Sequence, residues 1–138
     1  MNRKLLITGF DAFGNGAINP SWEAVRRLPG IIGDFALCKL QIPTVFGLAG
    51  ETVLQTAAVF QPDVILCVGQ AGGRDAVTPE RIAVNIRDAR IPDNDGSQPR
   101  GEFVVPEGPA TSPEGCGQRL SGIRRFVRIQ DLVEPGNR

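Results

Sequence analysis

The run Val64–Ile65–Leu66–Cys67–Val68, introduced by Asp63 and closed by Gly69, constrains this chain most. Successive side chains of a strand point to opposite faces, so five apolar residues in a row need cover on both. A run of this kind flanked by helices suits a central strand of a parallel sheet. The neighbouring segments supply those helices and further strands. Residues 4–9 (KLLITG) read as a first strand, and Asn19–Pro20–Ser21–Trp22–Glu23 as a helix start with Asn19 as cap and Pro20 at the first helical position. Trp22, Val25 and Leu28 recur at helical spacing until Pro29–Gly30 ends the helix. Residues 36–42 predict a second strand ending at Pro43, and residues 46–60 a second helix with Val53, Leu54, Ala57 and Ala58 on one face. Glu80–Ile86 alternates and predicts a further strand, after which residues 88–109 read as loop with a short strand at Phe103–Val105. Strand–helix–strand–helix–strand is the order of a layered α/β fold.

The 138 residues are enough for one domain, and 41% apolar with 22% charged residues is ordinary for a globular chain. Fifteen basic and fifteen acidic residues balance, which argues against nucleic acid as the main partner, because phosphate binding needs a clustered basic excess. After Met1–Asn2–Arg3–Lys4 only Leu5–Leu6–Ile7 is apolar, too short for a signal peptide, and no stretch approaches a membrane span. These features predict a cytoplasmic chain with no membrane partner. Three cysteines (Cys38, Cys67, Cys116) show no pairing pattern and fit a reducing compartment. Cys38 and Cys67 lie in apolar runs and read as buried, inert thiols. Histidine is absent, so no Cys–His or Ser–His pair can form within these residues.

Three glycine-rich or charged stretches follow apolar strands. In the first, Gly9, Gly14 and Gly16 punctuate a loop holding Phe10 and Phe13. A phosphate-binding loop needs Lys–Ser/Thr after its second glycine, and Asn15–Gly16 stands there instead. Phe10 and Phe13 read equally well as plain core residues. The second stretch is Val68–Gly69–Gln70–Ala71–Gly72–Gly73–Arg74. The third is Thr78–Pro79–Glu80–Arg81 with Asp88–Ala89–Arg90–Ile91–Pro92–Asp93–Asn94, whose charged side chains would ordinarily be solvated. Loops after parallel strands converge on one sheet edge, the default place for a small-molecule site.

As an ordered set, "TGFDAFG" with "NPS", "IPTVFG", "PDVILCVGQAGGR", "TPERIAVNIRDARIPDNDGSQP" and "GPA" closely resemble the pyroglutamyl peptidase I (pyrrolidone-carboxylate peptidase) family over residues 1–110. The resemblance implies a cytosolic three-layer α/β/α fold with a mostly parallel central sheet. It also implies a thiol protease that removes amino-terminal pyroglutamate from peptides through a Glu–Cys–His triad. Glu80 matches the triad carboxylate, expected to orient and charge-stabilise the histidine. Arg90 matches a position near the reacting centre. Phe10 and Phe13 match the aromatic walls of the lactam pocket, Thr44 and Ile91 its further lining, and Gln70 a backbone contact to the lactam. Peptides with amino-terminal pyroglutamate are the implied partner, self-association is implied too, and no cofactor or metal is expected.

The pattern stops at Ala110. The family's "AYFS"-like stretch and "FVCN"-like nucleophile segment are absent from residues 111–138, which hold five arginines, no lysine and scattered glycines. Cys116, between Gly115 and Gly117, stands in no comparable context. Residues 1–110 therefore read as the amino-terminal part of one peptidase domain truncated at its carboxyl-terminal end. Residues 111–138 read as a poorly ordered tail in which 123–129 forms a turn of helix or an edge strand. A reading-frame shift of one base near Ala110 is the expected cause, since codons for Tyr–Phe–Ser read one base later encode Thr–Ser–Pro, as at 111–113. Coding DNA that recovers no cysteine segment and no histidine in either other frame would sink that expectation. Lacking two triad members, the chain is expected to be inactive alone; the alternative is a non-catalytic binding or regulatory fragment.

Overall fold

The computed structural model describes residues 3–80 and 82–111, and the backbone of 112 and 125–129. Among these residues the elements run β1 (Arg3–Phe10), α1 (Pro20–Arg26), β2 (Ile31–Ile32), β3 (Phe35–Ile42), α2 (Leu48–Phe60), β4 (Val64–Val68), β5 (Pro79–Glu80), β6 (Ala83–Val84), β7 (Thr111–Ser112) and β8 (Arg125–Ile129). One sheet has the order β2-β3-β1-β4-β8-β5, and β6 pairs with β7 apart from it. β1, β3, β4 and β8 are mutually parallel; β2 and β5 are antiparallel to their neighbours. The α/β class with a mostly parallel sheet is thus as expected.

The helices form where local signals place them. Asn19 Oδ1 accepts the Ser21 backbone N–H at 3.1 Å, and Pro20 opens α1. The Lys39 ammonium donates to the Leu28 and Arg26 carbonyls at 2.8 and 3.3 Å, covering acceptors at the end of α1 with positive charge. α2 starts two residues later than its apolar pattern predicts. The Phe46 amide is drawn away to Asp93 Oδ2 at 2.8 Å, and Gly47 takes a left-handed φ of 79° that no helix continues.

Gly9 sets how closely α1 packs. A Cβ there would stand 2.7 Å from the Trp22 backbone, so only glycine lets the helix lie against β1. Leu6, three residues back on β1 and therefore on the opposite face, joins Ile42, Ile65, Val53 and Ala57 in the core under α2. The two helices accordingly cover opposite faces, giving three layers. This follows from topology as well: the chain moves from β1 to β3 and then back across to β4, and right-handed crossovers in opposite directions use opposite faces.

β4 lies in the interior of the sheet as expected, but its cover is uneven. Ile65 is fully buried beneath α2, whereas Val64, Leu66 and Val68 are half-buried. The seven residues of α1 make a helix about 10 Å long, and it packs mainly over β1. The expected single strand at 80–86 is instead two short pieces, β5 in the main sheet and β6 paired with β7. Its alternating apolar side, Ile82, Val84 and Ile86, is 60%, 58% and 46% exposed, so no buried face holds the segment straight. The short strand expected at Phe103–Val105 does not form. The Val105 backbone instead bonds the Asn85 side chain, through its N–H and its C=O, at 2.8 Å each. Of residues 123–129, expected as a turn of helix or an edge strand, 125–129 form β8, which lies between β4 and β5 and so is a strand but not an edge one. The expected poor order of the tail falls largely on residues 113–124 and 130–138, outside the described residues.

Candidate active site

Parallel pairing brings the carboxyl ends of β1, β3 and β4 to one edge: Phe10 stands opposite Ile42, and Thr8 opposite Cys67. Ligands of such sheets sit outside this edge, near the strand where chain direction reverses, here β1. The loop leaving β1 carries Phe10 and Phe13, the loop leaving β3 carries Thr44, and Gln70 follows β4 by two residues. Phe10, Phe13 and Gln70 are half-buried and Thr44 is 5% exposed. Phe10 is anchored at its backbone, whose N–H donates to Ser21 Oγ at 2.9 Å.

Three loops are tied together by polar bonds. Asp11 Oδ1 accepts the Thr44 backbone N–H and the Thr44 hydroxyl, both at 2.8 Å. Asn94 Nδ2 donates to the Ala12 carbonyl at 2.7 Å and to Asp11 Oδ1 at 3.4 Å, while the Asn94 N–H donates to the Thr44 carbonyl at 3.1 Å. Asp93 makes a second tie: beside Phe46, its carboxylate accepts the Asp95 and Ser97 amides at 2.9 and 2.8 Å. Burial alone would push the Asp93 carboxyl up, but the amides of Phe46, Ser97, Asp95 and Gly96 together hold it below its ordinary value. Ile91 lies three residues before Asn94 and is exposed.

Glu80 stands further along the sheet. It pairs with Arg128 of β8, which pairs with Cys67 of β4, which pairs with Thr8 of β1. Three strand spacings separate Glu80 from β1, about 14 Å at the usual interval. Its carboxylate is 3.8 Å from Arg74 Nη1, and that nitrogen also donates to Thr78 Oγ1 at 2.7 Å. Arg90 is exposed, and its carbonyl accepts Gln98 Nε2 at 2.8 Å. Cys38 and Cys67 are packed against the core but are half-buried rather than buried as expected, and Cys116 lies outside the described residues. Among the described residues, no group of three or more Cys, Asp or Glu is placed to hold a metal ion, and no helix is long and apolar enough to cross a membrane.

Sequence reasoning missed Asp11, Asp93, Asn94 and Arg74 as partners in this edge. Asp93 carries a local signal, since an Asp followed by Asn–Asp–Gly favours a turn closed on its own side chain. Nothing local marks Asp11, whose partners lie 33 and 83 residues away.

The topology defines a doubly wound α/β protein whose connecting loops gather at the carboxyl ends of its parallel strands, the edge at which such folds bind ligands. A family model described as pyroglutamyl peptidase matches residues 3–113, and the chain belongs to that family. The pyrrolidone-carboxylate peptidase of Bacillus subtilis is 54% identical over 111 residues, covering 80% of this chain and 52% of the relative. That of Levilactobacillus brevis is 57% identical over 107 residues, covering 78% and 52%. Among solved structures, pyroglutamyl peptidase I of Bacillus amyloliquefaciens superposes with a TM-score of 0.78 at 50% identity, over 81% of this chain and 54% of that one. A mutant pyrrolidone carboxyl peptidase from Pyrococcus furiosus gives 0.75 at 44% identity, over 79% and 53%. The chain spans about half the length of the curated relatives it matches.

Proposed function

We propose that this chain carries the pyroglutamate-binding portion of a cysteine-type pyroglutamyl peptidase. The observation that supports the reading best is the tied carboxyl edge, where Asp11, Thr44 and Asn94 hold the loops of Phe10, Phe13 and Ile91 together. Pyroglutamate presents a flat, neutral ring with one amide N–H and one C=O. Phe10 and Phe13 form the walls of its pocket, Thr44 and Ile91 line it, and the Gln70 backbone bonds the lactam. An open-chain glutamate is rejected because its carboxylate would be stranded against apolar walls. Glu80 is the carboxylate that orients a catalytic histidine, and Arg90 lies near the reacting centre.

The 138 residues contain no histidine. A triad lacking its base retains only what binding and oxyanion contacts contribute, so these residues alone bind pyroglutamyl peptides with little turnover. The alternative, a non-catalytic fragment that docks a partner, draws on the exposed side chains of Ile82, Val84, Phe103 and Val104. The test is release of a chromogenic amine from a pyroglutamyl amide by the purified chain. No release above background is the expected result; release abolished by Glu80→Gln would overturn the proposed inactivity.

A further inference from the structure

We propose that Asp11 is the positioning residue of this pocket, setting the spacing of its walls so that a flat lactam ring is selected over a puckered one. The inference rests on reading the edge as a pyroglutamyl pocket and adds the group that shapes it. Asp11 stands on the loop between Phe10 and Phe13. Its N–H extends the β1–β3 pairing by donating to the Ile42 carbonyl at 2.9 Å. Its carboxylate then reaches across to the loop after β3, where Oδ1 takes both Thr44 donors at 2.8 Å. Asn94 closes the ring by bonding Ala12 and Thr44, with a longer contact to Asp11 itself. Each of the three loops is therefore tied to the other two.

The tie has no apolar substitute. Residues 14–18, which follow Phe13, are all exposed and include two glycines, so the loop gains no buried anchor until Asn19. Placement of Phe13 falls to Asp11 and Ala12 behind it. Bonds to an ionised acceptor are about twice as strong as neutral ones, which suits a carboxylate to the task. With the tie cut, the walls no longer hold one width. A loosened slot loses affinity for the flat lactam and also loses its preference for it over a puckered saturated ring.

The experiment titrates the 138-residue chain with L-pyroglutamyl amide and, separately, L-prolyl amide, while circular dichroism records the thermal midpoint. Asp11→Ala should weaken L-pyroglutamyl amide binding about tenfold, equivalent to about 1.4 kcal/mol, and reduce the preference over L-prolyl amide. Asp11→Asn, which retains an acceptor oxygen for Thr44, should restore most of both. Phe13→Ala serves as the control for the pocket itself. Binding weakened by Phe13→Ala but not by Asp11→Ala overturns this inference and leaves the pocket standing. An unaltered chain that binds no L-pyroglutamyl amide overturns both. If Asp11→Ala fails to fold, Asn94→Ala takes its place, because Asn94 is exposed. Asn94→Ala should reduce affinity and preference at an unchanged thermal midpoint, and unchanged binding would overturn the inference.

Discussion

Asp11 and Thr44, 33 residues apart, are joined by two bonds to a single carboxylate oxygen, one from the Thr44 backbone and one from its hydroxyl, each 2.8 Å long. Thr44 is almost fully buried, so its hydroxyl has little access to water as an alternative partner. Thr44→Val should therefore cost about 1–2 kcal/mol of stability. Thr44→Ser, which keeps the hydroxyl and loses one methyl, should cost less. Urea denaturation of the two variants checks the order; a larger loss for Thr44→Ser than for Thr44→Val would show that the methyl, not the bond, matters.

Gly9 predicts a sharper contrast. An added methyl meets the Trp22 backbone nitrogen and Cα at 2.7 Å and the Ser21 carbonyl carbon at 2.8 Å, none of which is a flexible side-chain end. Gly9→Ala must push α1 off the sheet and should destabilise by about 1–3 kcal/mol. A Cβ added at Gly30 meets nothing within 4 Å among the described residues beyond its chain neighbours, and φ is not positive, so Gly30→Ala should be neutral or stabilise by up to about 1 kcal/mol. Thermal unfolding of both variants reads the difference directly.

Thr8 is fully buried on β1, and among the described residues its hydroxyl has no hydrogen-bond partner. An unpaired buried hydroxyl costs free energy that a methyl of the same shape does not. Thr8→Val should raise stability by about 1 kcal/mol. A loss of stability, seen as a lower denaturation midpoint, would mean that the hydroxyl is satisfied in solution.

The Asp93 carboxylate predicts a pH dependence. Its folded-state pKa lies below the ordinary value near 4, so the unfolded chain binds the proton more readily. Its contribution is fully present above that ordinary value and is lost as pH falls through the depressed folded one. Asp93→Asn should thus reduce stability more at pH 7 than at pH 3. A difference that stays constant between those pH values would contradict the assigned role.

What could be read from the sequence divides by distance along the chain. The start of α1 is written in adjacent residues, Asn19 and Pro20, and the interior place of β4 in five consecutive apolar ones; both are found. The later start of α2 was not legible, because it turns on Asp93 taking the Phe46 amide from 47 residues away. The split of 80–86 depends on which partners its halves meet, β8 for one and β7 for the other. At the site, spacing brought Phe10, Gln70 and Glu80 to strand ends, and resemblance to a family supplied their roles. The bonds that tie Asp11, Thr44 and Asn94 together link residues too far apart for any local pattern to show.

The proposed pocket for a neutral lactam ring is formed by Phe10, Phe13, Thr44, Gln70 and Ile91. Titration of isotope-labelled chain with L-pyroglutamyl amide, followed by amide resonances, tests it most directly. Saturable shifts should concentrate at residues 10–13, 44, 70 and 91, with far smaller shifts from L-glutamate. Absence of saturable shifts there, or an equal response to L-glutamate, would contradict it.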